Sequence, residues 1–117
     1  MQGQWSSQLV AYGTPGRVGL QSFHFDFPAE LALVQISLST RADNSESGMC
    51  SFATACFTEY TTAEGVTHYF SADDCVSTFV ATNLTSFSGY LAVGGCWAEA
   101  VISVFIWPSI HSSDFLP

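Results

Sequence analysis

The sequence predicts an all-β protein, an antiparallel β-sandwich of six to eight short strands. Three observations carry this. Runs rich in β-branched and aromatic residues, such as Val76 to Thr82 and Val101 to Trp107, alternate with polar stretches bearing Gly, Pro or Asn. Phe23-His24-Phe25-Asp26-Phe27 sets three phenylalanines on one face of an extended chain. No stretch carries an apolar helical repeat with caps over three turns.

The elements follow in order. Gln4 to Tyr12 reads as a strand, ended by the turn residues Gly13-Thr14-Pro15-Gly16. The phenylalanine strand is stopped by Pro28, and another runs from Leu31 to Leu38. Ser39 to Gly48 reads as a loop with Asp43 and Glu46 facing solvent. Ser51 to Tyr60 and Val66 to Phe70 form a hairpin around Thr62-Ala63-Glu64-Gly65, and Ala72-Asp73-Asp74 is an acidic turn. Residues 76–82 and 89–95 would pair about Thr85-Ser86 before the last strand, 101–107. The 117 residues fit a single domain, 1–117, with an inserted hairpin at 44–74.

Apolar residues make up 48% of the chain, enough for a packed core despite a formal net charge of −8. Lysine is absent, and Arg17 and Arg41 stand against ten carboxylates. A phosphate-binding surface needs clustered cations, so nucleic acid and anionic membranes are poor partners. Residues 75–98 lack charge, yet Ser77, Thr78, Thr82, Asn83, Thr85, Ser86 and Ser88 are too polar for a lipid-facing helix. The first twenty residues show neither a basic nor a continuous apolar segment of a signal peptide.

The four cysteines, Cys50, Cys56, Cys75 and Cys96, lack the close spacing of zinc knuckles and read as disulfides of an oxidising compartment. In a hairpin about Thr85-Ser86, facing residues have numbers summing to about 171, which sets Cys75 opposite Cys96. Cys50–Cys56 would then close a local loop.

No catalytic constellation emerges, and the expectation is a protein that is not an enzyme, with no cofactor and no metal. His24, His68 and His111 stand in no metal motif and read as surface or structural histidines. Asp73-Asp74 supplies too few oxygens for Ca²⁺ and reads as a solvated turn. Asn83-Leu84-Thr85 fits the N-glycosylation pattern. Trp5, Trp97 and Trp107 lie near strand ends, where a ring either packs in the core or stacks on the apolar face of a sugar.

The order of several motifs resembles the H-type lectin domain, a family of galactose- and N-acetylgalactosamine-binding agglutinins. They are Gly3-Gln4-Trp5, Phe23 to Pro28, Leu31 to Leu38, Asn83-Leu84-Thr85 with Gly89-Tyr90, Trp97, and Ser103 to Trp107. The family's sugar site draws on a loop after the first Trp, similar to Pro15-Gly16-Arg17 here. Its central-strand arginine falls near Ser77, and Ala98 follows Trp97 where the family has histidine. The resemblance implies a secreted or extracellular (or virion-surface) homotrimer that binds glycans of galactose or N-acetylgalactosamine type, using Gly16, Arg17, Asp74, Ser77, Trp97 and Glu99. The alternative from composition is a structural β-sandwich subunit of an extracellular fibre, coat or virion, its apolar surface serving subunit contacts.

Overall fold

The computed structural model describes residues 5–12, 18–43, 52–94 and 97–107. The protein is all-β and antiparallel. Its strands are β1 (Trp5–Tyr12), β2 (Val18–Asp43), β3 (Phe52–Thr62), β4 (Thr67–Tyr69), β5 (Thr78–Gly94) and β6 (Trp97–Trp107). They join in one sheet of order β1-β6-β2-β5-β3-β4.

β2, with 26 residues, and β5, with 17, form the spine. Their register breaks between the pairs Asp26↔Ser86 and Leu31↔Leu84, where β2 advances 5 residues and β5 only 2. Because side chains alternate along a strand, that odd surplus of 3 switches the inward face of β2. Phe23, Phe25 and Phe27 pack toward the core before the break, and Val34, Ile36 and Leu38 after it. The bend lets one sheet cover both sides of a core. Phe79, near the start of β5, lies edge-on to Phe57 of β3 with centroids 4.9 Å apart, and Phe57 meets Phe87 in the same manner at 5.5 Å.

Several expected boundaries are corrected. Pro28 does not end its strand: it sits inside the register break, where no β2–β5 pair needs its missing N–H. The expected loop from Ser39 is β2 as far as Asp43, because Ser39 to Asp43 pair with Val101 to Trp97 of β6. Glu46 lies outside the described residues. Thr85-Ser86 is not a turn. β5 runs straight through it, since its second half is laddered to β2 on one side and β3 on the other. The polar run is accommodated by register shifts and by Asn83, whose φ of 56° is left-handed. The β3–β4 hairpin is present, with Tyr60 opposite His68, and β3 is a full member of the sheet through β5.

The disulfide pairing is corrected with the register. Cys75 is bonded to Cys56, with Cα atoms 4.9 Å apart, so neither Cys75–Cys96 nor Cys50–Cys56 forms. After β4 the chain doubles back along β3. Phe70 N donates to Thr58 O at 2.9 Å, the turn 72–74 reverses direction, and Phe57 N donates to Val76 O at 2.9 Å, which leaves Cys75 beside Cys56. Closing this loop, 19 residues in separation, stabilises the fold by about 3 kcal/mol in the chain-entropy picture. Cys50 and Cys96 lie outside the described residues.

Candidate functional site

β5 has β3 as a neighbour only from Leu84 onward, where Thr62 is its partner. At Asn83 the left-handed backbone redirects the strand, so residues before it diverge from β3 while the β3–β4 hairpin continues outward. The gap is an open cleft of about 430 Å³. Tyr60, Thr62, Glu64, Val66 and His68 line the hairpin side, and Val80, Ala81 and Thr82 the β5 side.

The hairpin wall is built on a column of rings. His68 is stacked on Tyr60 at 4.6 Å and 13°, and Tyr60 is stacked on Phe79 at 4.8 Å and 9°. Two rings that close and that parallel must occupy opposite faces of Tyr60. The column therefore runs from buried Phe79 outward to exposed His68, and both Tyr60 and His68 contribute to the cleft wall.

Glu64 stands at the hairpin turn. The Thr62 hydroxyl, its own backbone N–H and the Asn83 amide all donate to its carboxylate, holding the pKa below the ordinary glutamate value, with a smaller contribution from His68. The Asn83 contact is 2.9 Å. The glycosylation pattern is thus occupied within the fold. Asn83 holds Glu64, Leu84 is fully buried, and Thr85 Oγ1 donates to Thr61 O at 3.1 Å.

The residues expected from sequence gather elsewhere. Ser77 is exposed, and its carbonyl accepts from Leu38 N at 2.8 Å. Asp74, three positions earlier, is exposed in the 72–74 turn. Glu99 pairs with Arg41 and Trp97 with Asp43, so Ser77, Glu99 and Trp97 all attach to the C-terminal end of β2, the first from the β5 side and the others from the β6 side. Glu99 is only 3% exposed, and its carboxylate accepts from the Arg41 guanidinium, leaving little surface for a ligand. Gly16 and Arg17 lie outside the described residues. Among the described residues, none of those expected is in the cleft lining.

A second cluster has the makings of a nucleophile and base. His24 Nδ1 is 2.6 Å from Ser88 Oγ, and His24 Nε2 is 2.9 Å from Asp26 Oδ1. The cluster forms because His24 is the register partner of Ser88 and Asp26 lies two residues along the same face. The histidine and aspartate side chains are 53% and 75% exposed, and none of the three residues lines the cleft. The network satisfies three surface polar groups on a regular ladder. Among the described residues, no three His, Cys, Asp or Glu side chains converge as metal ligands would.

Sequence reasoning located the hairpin and His68 but not the cleft. The available signal was the alternation Tyr60, Thr62, Glu64, Val66, His68 around a turn; what it lacked was the bend at Asn83 that carries Thr82 past it. No known protein family's model matches the chain, and no curated protein matches its sequence.

Proposed function

We propose that this protein is a non-enzymatic carbohydrate-binding module of lectin type, with the cleft between the β3–β4 hairpin and the start of β5 as its binding surface. The observation that carries the reading is the cleft's chemistry. An exposed ring, the hydroxyls of Thr62 and Thr82, and an ionised acceptor at Glu64 surround an open groove. Sugars bind by laying C–H faces on rings while hydroxyls find directed acceptors and donors. Binding without chemistry requires no general base, and an open groove suits a ligand on a larger glycan.

The motif order that resembles the H-type lectins supports the lectin class, though not the cleft as its site, and adds galactose or N-acetylgalactosamine as the sugar and a homotrimer as the assembly, in which linked weak sites raise avidity. The Cys56–Cys75 bond fits a secreted or extracellular setting. A glycan array read with wild type and with Glu64→Gln and His68→Ala tests it. Binding by the wild type that falls at least tenfold in both variants is expected, and failure of folded wild type to bind any glycan overturns the reading.

A second reading, a structural subunit of a fibre, coat or virion, is favoured by one observation. Val80, Gln35 and Phe105 lie side by side in register across β5, β2 and β6, and the two apolar members are 57% and 43% exposed. Light scattering over a wide dilution range separates them: a small closed oligomer with sugar affinity supports the lectin, an open polymer without it the fibre.

A further inference from the structure

We infer that the cleft selects glycans by charge, taking sugars that carry a protonated amine in preference to neutral ones and rejecting uronic acids. The inference rests on the proposed glycan reading and deepens it by naming the ligand class.

The charge that the cleft presents depends on which groups surround Glu64. The donors that reach its carboxylate are a hydroxyl, a backbone amide and a side-chain amide, none of them charged. Such donors keep the group ionised without cancelling its charge. Among the described residues the guanidinium is that of Arg41, and it is held by Glu99 on the β2–β6 ladder. Lysine does not occur in the chain. Among the described residues the cleft therefore presents a negative charge whose only ionisable basic neighbour in the lining is His68.

Geometry turns that charge into selectivity. Glu64 is anchored by Asn83 at 2.9 Å, so the carboxylate need not be ordered when a ligand arrives. His68 sits on the same hairpin and offers a ring face to the sugar's C–H surface. A ring-bound ammonium next to Glu64 gains a charge-assisted hydrogen bond. A ring-bound carboxylate at that place meets a like charge, with no Arg or Lys among the described residues of the lining to relieve it. An N-acetyl or hydroxyl group gains only a neutral hydrogen bond, and falls between.

The test is calorimetric titration of the full chain with three oligosaccharides of equal length: a glucosamine oligomer with free amines, its fully N-acetylated counterpart, and an oligouronate, at a pH that keeps the amine protonated. The expected order is amine tighter than N-acetyl by about tenfold or more, corresponding to about 1.4 kcal/mol, with no uronate binding. Glu64→Gln should weaken both forms and bring the amine and N-acetyl oligomers to equal affinity, and added salt should weaken the amine form more than the N-acetyl form. Equal binding of the three, tightest binding of the uronate, or an amine preference that survives Glu64→Gln overturns the inference while leaving the glycan reading in place. Absence of binding by all three overturns the inference, and the glycan reading falls with it only where the folded wild type also binds nothing on the glycan array.

Discussion

The side-chain amide of Asn83 donates to the Glu64 carboxylate at 2.9 Å, and its backbone carbonyl accepts from Ala63 N at 2.8 Å. One residue therefore ties the bend of β5 to the turn of the β3–β4 hairpin, and both walls of the cleft hang on it. Its φ of 56° suits Asn or Gly and strains a β-branched side chain. Asn83→Gly should keep the backbone and lose only the amide contact, whereas Asn83→Val should cost about 1–3 kcal/mol from strain. Urea unfolding of the two variants measures the difference, and equal stabilities would show that the left-handed backbone is not retained.

Acid should weaken the hairpin through Glu64. Its folded-state pKa is lowered, first by the Thr62 hydroxyl, so the unfolded chain binds the proton more tightly. The stabilisation is in force above the ordinary glutamate pKa and is lost as pH falls through the lowered folded value. Melting temperature against pH should fall less steeply for Glu64→Gln than for wild type over that window. Parallel curves would show that the carboxylate's partners do not persist in solution.

Gly89 lies under the Phe23 ring, and a methyl added there would sit inside contact distance of that ring and of the Cys56 carbonyl oxygen. The neighbour on one side is backbone of β3, which cannot move without breaking its ladder to β5. Gly89→Ala should lose about 1–3 kcal/mol in denaturant unfolding. A neutral outcome would mean that Phe23 swings away freely.

Arg41 and Glu99 form a lopsided pair, the guanidinium 72% exposed and the carboxylate 4%. Removing the arginine leaves a buried carboxylate without its partner, and Arg41→Ala should cost about 1–3 kcal/mol. Arg41→Ala combined with Glu99→Gln should recover part of that loss. A double variant less stable than Arg41→Ala alone would argue against the pairing.

Peptide mapping without reduction should recover Cys56 linked to Cys75. Recovery of Cys75 with Cys96 would contradict the register.

Particular residues show what could be read in advance and why the rest could not. Phe23, Phe25 and Phe27 announced their strand and its inward face, and the Thr62-to-Gly65 turn announced the β3–β4 hairpin, because both signals are local. Thr85-Ser86 misled, since a polar run inside a strand laddered on both sides resembles a turn when its partners are out of view. The Cys75 pairing failed for the same reason, being inferred from that turn. Glu99 was visible as an acid near Trp97, but its burial against Arg41 depends on β2 extending as far as Asp43. The cleft was invisible because residues on its two sides meet only after β5 bends at Asn83.

The pairing of the strands also sets a timetable for synthesis. Among β1, β2 and β3 no two are hydrogen-bonded neighbours: β1 waits for β6, β2 for β5 and β6, and β3 has only the short β4 before β5. As the chain leaves a ribosome, these three strands therefore emerge before the two that join them, β5 and β6, and the sheet cannot be completed until Trp107 is free. Loop closure at such separations precedes any reward from contacts, which places folding in the slow, roughly millisecond-to-second regime of β topologies. Until then the nascent strands have open edges, on which aggregation competes with folding.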